Sequence, residues 1–281
     1  MPVPYWSKVL NRLSLNAYRA YRAQEIVRNE LLYAYLPPSA RNEMTIQAYS
    51  SGGIGYAESR YNREKGLNSW EKELLQAPAC PRSGRVVLMA AGGGREMMAL
   101  HRGGYSVTAF EPSPALRSAA VELARELPGT SVHDASYADL VAHAEGRPSA
   151  LDRLDRLELS ADLVWLGWGS FTHLTDPDEQ LAVLRSIRRT WPEAPVALSF
   201  FLRGPNFENP QAPSVRLREG LRATLRKLGG GASPPGLCYH THEGFSYSFE
   251  KSELEQLIER SGYRAEMFRE DPFPNALLLP R

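Results

Sequence analysis

The sequence predicts an α/β protein, a mostly parallel sheet with helices on both faces, preceded by a helical N-terminal segment. Three observations predict it. From Arg85 onward, short apolar runs alternate with helix-periodic stretches, the pattern of strands joined by helical crossovers. Val86-Val-Leu-Met-Ala90 runs straight into Gly92-Gly93-Gly94 at the start of a helical stretch. Before Arg85 the chain is helix-periodic and richer in tyrosine than in the aliphatic residues an independent core needs.

In order, residues 5–36 are expected as a helix, because Leu10, Leu13, Tyr18, Tyr21, Ile26, Leu31 and Leu32 recur at spacings near three and four with Arg and Glu in the gaps, and Pro37-Pro38 ends it. A second helix starts at Ser39 and breaks at Ser50-Ser51-Gly52-Gly53; residues 56–75 add helix around a turn at Gly66. Strands are expected at 86–90, 106–110, 130–133, 163–166, 196–201, 263–268 and 276–279, with helices at 95–102, 115–126, 137–145, 178–190 and 250–260. The expected organisation is a helical cap or substrate-binding segment over 1–75 and a sheet domain over 76–281, with 203–247 as a substrate-side insertion.

At 281 residues, 43% hydrophobic and 23% charged, the chain has an ordinary globular composition. A net charge of +1 gives no global reason to expect nucleic acid or an anionic membrane as partner. Cys80 and Cys238 stand far apart with no ligand pair nearby, which fits a reducing compartment. No apolar stretch has the length of a membrane span or a signal-peptide core, so a cytoplasmic monomer or homodimer is expected.

The glycine turn at the strand-to-helix junction lets a ligand approach backbone amides at a helix N-terminus. Glu111 directly follows the second strand, where a carboxylate can accept hydrogen bonds from both hydroxyls of an adenosine ribose. A dinucleotide fingerprint needs a third glycine for close helix packing; taking Gly92 and Gly94 as the first pair, that position is Met97, which argues against NAD.

At these residues the sequence resembles the class I S-adenosylmethionine-dependent methyltransferases, whose first motif runs strand, Gly-x-Gly-x-Gly, helix, with an acidic residue ending the second strand. Val86 to Glu96 and Val107 to Ser113 match it; Val132 to Leu140 is similar to the third-strand segment, Ala161 to Leu174 to the fourth strand and its loop, and Phe249 to Tyr263 to the helix before the last strands. The resemblance implies a Rossmann-like fold with a seven-stranded sheet, S-adenosylmethionine as cofactor, and a cofactor site at Ala90, Gly92, Gly94, Glu96, Glu111, Pro112, Ser113, Asp134, Ala135, Ser136, Gly167 and Trp168. In it, Asp134 contacts the adenine amino group. The chain departs from the pattern at Leu88, where many members are acidic, and at Ala90, where many have glycine. Recognition of the methionine end is therefore expected to come partly from Gly55 to Tyr61 with Ser69-Trp70-Glu71, similar to a lead-in segment folded over the cofactor, which adds Tyr61 and Trp70 to the site.

An acceptor would lie outside the carboxyl ends of the strands. The catalytic candidates are His240 and His242, whose alternation would place both imidazoles on one face of an extended segment, and His173 in the loop after the fourth strand, where support of that loop is the alternative role. No third and fourth ligand stand at zinc spacing, so no metal is expected. The expected activity is methyl transfer to a small molecule or modified peptide in biosynthetic tailoring, at oxygen, because Gly167-Trp-Gly-Ser170 stands where the family carries Asn-Pro-Pro-Tyr for planar exocyclic nitrogens. The rivals are a non-catalytic protein that binds the cofactor or its product, an NAD-dependent oxidoreductase, and a nucleic-acid methyltransferase with Arg216, Arg218, Arg222 and Arg226 forming a basic face; those arginines are read as a solvated helix face.

Overall fold

The computed structural model describes residues 5–51, 55–204, 213–231, 234–271 and 273–281, so Gly52 and Gly53, and residues 205–212 and 232–233 of the expected insertion, lie outside the described residues. The chain divides into two compact units, Met1–Pro37 with Gly204–Cys238, and Pro38–Arg203 with Tyr239–Arg281. The stretch 1–75, expected as one cap, is thus shared between them.

The first unit pairs α1 (Tyr5–Tyr35) with α9 (Pro213–Lys227). Ile26, Tyr33, Ala34 and Leu225 are buried, and Arg222 Nε donates to the buried Glu30 Oε2 at 2.9 Å. Arg222 therefore belongs to a helix contact rather than to a solvated face.

The second unit carries α2 (Pro38–Ser50), α3 (Ser59–Glu64), α4 (Ser69–Gln76), β1 (Gly84–Met89), α5 (Arg95–Arg102), β2 (Tyr105–Phe110), α6 (Pro114–Ala124), β3 (Thr130–His133), α7 (Tyr137–Ala144), β4 (Leu163–Leu166), α8 (Pro177–Thr190), β5 (Val196–Ser199), β6 (Phe201–Leu202), β8 (Gly244–Phe249), α10 (Lys251–Arg260), β9 (Tyr263–Arg269) and β10 (Asn275–Pro280). Seven strands form one sheet in the order β3-β2-β1-β4-β5-β10-β9, with β10 antiparallel to both its neighbours. Each strand expected from the sequence contributes to it, the one expected at 196–201 only as far as Ser199, since Phe201 belongs to β6. A second sheet, β6-β8-β7 with β7 at Leu237–His240, is not among the expected strands: residues 237–247 fall within the expected insertion.

The central strands are buried on both faces, which is why they are near-continuous apolar runs. Period-two alternation splits them between two cores. Val86, Leu88, Leu163, Trp165, Ala197 and Leu277 pack on one side with Met97, Trp70 and Leu74; Val87, Met89, Val164, Leu166, Val196, Leu198 and Leu278 pack on the other with Leu184, Ile187 and Leu254. Trp70 and Leu74 explain why α4 belongs to this unit.

Candidate active site

β1 lies between β2 and β4, so the connections leave to opposite sides at its carboxyl end, the place where doubly wound sheets open a crevice. A cleft of about 820 Å³ opens there, walled by residues of the second unit alone.

Its floor is the glycine turn. Glu111 Oε2 accepts from Gly92 N at 2.7 Å and Oε1 accepts from Ser113 N at 2.8 Å, so one carboxylate ties the loop after β1 to the loop after β2. Burial pushes this carboxyl up to about 7, against the pull of the two amides. Gly92, at φ 58°, has no atom within 4 Å of where a Cβ would stand, so its backbone is bare toward the cleft. A Cβ on Gly93 would overlap the carbonyl oxygen of Tyr56, which Asn62 Nδ2 holds at 2.8 Å; the lead-in segment is seated directly on the glycine turn. Ala90 has φ 53°, left-handed backbone that costs a side-chain-bearing residue about 1 kcal/mol or more.

One wall is a buried ion network. Arg95 Nη1 and Nη2 donate to Glu71 at 2.7 and 2.6 Å, Nη1 also reaches the Gly66 carbonyl at 2.9 Å, and Nη2 lies 2.8 Å from Glu96 Oε1. Glu96 in turn accepts from Trp168 N at 3.0 Å, tying α5 to the loop after β4. Burial pushes its carboxyl up and Arg95 pulls it back.

The opposite wall is α2. A Cβ on Gly244 would overlap Thr45, so β8 starts in close contact with this helix, and Thr45 Oγ1 accepts from Phe245 N at 2.9 Å. Tyr49, one turn further on, follows on the same helix face. Its hydroxyl is 3.0 Å from His173 Nε2, and His173 Nδ1 is 2.6 Å from the Phe245 carbonyl. The carbonyl of Phe245 thus holds His173 and its N–H holds the helix that carries Tyr49. Burial lowers the His173 pKa and raises that of Tyr49.

Of the residues expected from the sequence, Tyr61, Ala90, Gly92, Glu96, Glu111, Pro112, Ser113, Ala135, Ser136, Trp168 and His173 line the cleft. Six do not. Trp70 is core. Gly94 caps α5, facing Met97, Leu123 and Ala120. Gly167 lies against the Ala90 carbonyl, where a Cβ would overlap. Asp134 is turned out to Arg117, 2.9 Å away, its side chain 68% exposed. His240 ends β7 and His242 stands in the turn before β8, both exposed, so the extended segment that would have aligned them does not exist. Sequence reasoning missed Tyr49, Arg95 and Asn62. Among the described residues no group of three or more His, Cys, Asp or Glu converges as for a metal, and no helix is long and apolar enough to cross a membrane.

No family model matches the chain, and no curated protein matches it in sequence. Solved structures do. The chain is similar to 1,6-didemethyltoxoflavin-N1-methyltransferase of Burkholderia thailandensis, solved with 1,6-didemethyltoxoflavin and S-adenosylhomocysteine (TM-score 0.54, 15% identity, 88% of this chain and 91% of that one). It is similar to magnesium protoporphyrin IX methyltransferase of Synechocystis with bound SAH (0.51, 13%, 86% and 100%). It also matches an amino pentose methyltransferase of Micromonospora echinaspora with bound SAM (0.50, 13%, 80% and 96%). The chain has the fold of S-adenosylmethionine-dependent methyltransferases.

Proposed function

We propose that this chain is an S-adenosylmethionine-dependent methyltransferase acting on a small molecule or modified peptide in biosynthetic tailoring, with oxygen as the acceptor atom. The observation that carries it is Glu111, a buried carboxylate at the end of β2 beside the bare backbone of Gly92, on the fold those methyltransferases share. The residues fit the cofactor: Glu111 would accept from the ribose hydroxyls, Leu116, Ala135 and Ser136 would flank the adenine, and Glu96 with Arg95 would face the amino-acid end in place of an acidic residue at Leu88. The bound cofactor supplies an activated methyl group on a sulfonium, and the transfer is a direct displacement. The protein's own task is then to align the acceptor and exclude water. The small molecules methylated by the toxoflavin-precursor and amino pentose enzymes support a compact acceptor. Met97, fully buried where a dinucleotide fingerprint needs glycine, speaks against NAD.

The test is calorimetric titration of the purified protein with S-adenosylmethionine, S-adenosylhomocysteine and NAD in parallel. Binding of the two sulfur nucleotides and not of NAD is expected; NAD binding alone overturns the proposal.

A further inference from the structure

The α2 wall fixes the hydrogen-bond polarity that an acceptor must have. A carbonyl oxygen can only accept, so at 2.6 Å from the Phe245 carbonyl His173 Nδ1 carries the proton. In a neutral imidazole Nε2 is then a bare acceptor, and the Tyr49 hydroxyl 3.0 Å away must donate to it. Tyr49 has one proton, and it is committed. What the hydroxyl oxygen offers the cleft is its lone pairs.

We propose that the cleft takes an acceptor whose nucleophilic atom carries its own proton, a neutral hydroxyl or an amine and not a carboxylate, and that Tyr49, backed by His173, receives that proton during transfer. The inference rests on the methyltransferase reading but not on its choice of oxygen, since a neutral amine carries a proton as well. As the bond from the acceptor atom to the methyl carbon forms, the methyl–sulfur bond breaks and leaves its electron pair on sulfur. The acceptor's proton passes to Tyr49 Oη, and Tyr49's proton passes to His173 Nε2. His173 becomes an imidazolium that still donates through Nδ1 to Phe245 and later loses the proton to solvent. A weak base suffices, because the acceptor atom becomes strongly acidic once it is alkylated.

The surroundings agree. Burial keeps His173 neutral and Tyr49 protonated, and the charged or titratable groups facing the pair are Glu243, Tyr56 and Glu111. Glu43, Glu179 and Glu243 also line the cleft and offer only acceptors when ionised, while its cations, Lys65, Arg95 and Arg147, stand outside α2, Arg95 being paired with Glu71 and Glu96. A carboxylate acceptor would meet these lone pairs with its own. Tyr49 would touch the acceptor and is the catalytic candidate; His173 acts through it and is a positioning residue.

The experiment has two arms. In protein labelled with nitrogen-15 at histidine, the His173 signals are assigned by loss in His173→Gln and read at neutral pH. The neutral Nδ1-protonated tautomer is expected, and it persists in Tyr49→Phe; an Nε2-protonated tautomer or an imidazolium overturns the proposal. Benzyl alcohol, benzylamine and benzoate, which share a ring and differ in polarity, are then titrated with and without S-adenosylhomocysteine while the His173 Nε2 signal is followed. The alcohol and the amine are expected to shift it at concentrations at least tenfold below benzoate, with the preference lost in Tyr49→Phe; benzoate binding as tightly as both overturns it. The relative response to alcohol and amine separates the two donor classes. Neither arm requires the cofactor, so failure of S-adenosylhomocysteine to bind would sink the methyltransferase reading alone.

Discussion

The glycine-turn half of the cleft joins groups close in sequence: Gly92 and Glu111 are 19 positions apart and Glu111 and Ser113 two. The α2 half joins groups far apart, Thr45 to Phe245 across 200 positions and Tyr49 to His173 across 124. Local assembly leaves a spacing that can be seen in the chain; long-range assembly leaves none. The first half holds its ligand-facing groups with backbone amides, the second with a side chain braced by another side chain.

The largest effect should come from the ion network beside the glycine turn. Arg95→Met leaves Glu71 and Glu96 buried without their cation, and loss of one partner of such a cluster costs about 3–5 kcal/mol. A loss of unfolding free energy of that size, read from a denaturant titration, is expected; an unchanged midpoint would mean the network is no brace. Gly93→Ala should follow, since its Cβ would overlap the Tyr56 carbonyl: the lead-in segment must lift, and S-adenosylhomocysteine affinity falls while the rest of the fold survives.

A pH titration sharpens the comparison. Glu111 is held up at about 7, so the folded chain binds this proton more tightly than the unfolded chain does. Its contribution to stability therefore declines as pH rises from the ordinary carboxyl range through about 7, and is level above that. Ribose hydroxyls donating to Glu111 favour its ionised form. Cofactor binding near pH 7 should release protons, and affinity should rise with pH and then level off; calorimetry in buffers of different ionisation heat reads both. A smaller effect belongs to Ala90→Gly, which relieves the left-handed backbone at φ 53° and should change stability by about 1 kcal/mol or less in the stabilising direction.

The central strands were visible because each is an apolar run bounded by turn residues and buried on both faces, and the edge strands β3 and β9, which are mixed in polarity, because they follow helices in a regular alternation. Glu111 was visible because its place at the cleft is set by the strand it follows. Asp134 was misplaced because position at a strand end does not fix which way a side chain turns, and Arg117 on α6 takes it outward. His240 and His242 were misread because alternation was taken for a strand where the chain turns. Tyr49 carries no local signal at all; the close approach of Gly244 to Thr45 and the Thr45–Phe245 hydrogen bond, both between α2 and β8, bring its helix to His173.

The central claim is that the cleft binds its nucleotide through Glu111 and that the histidine turn plays no part. The direct measurement is S-adenosylhomocysteine affinity in Glu111→Ala beside a His240→Ala/His242→Ala double variant. Loss of the buried acceptor should weaken binding at least ~100-fold, since charge-assisted hydrogen bonds contribute about 1.5–3 kcal/mol each, and the double variant should stay near wild type. Binding that survives in Glu111→Ala, or collapses in the double variant, would contradict the account.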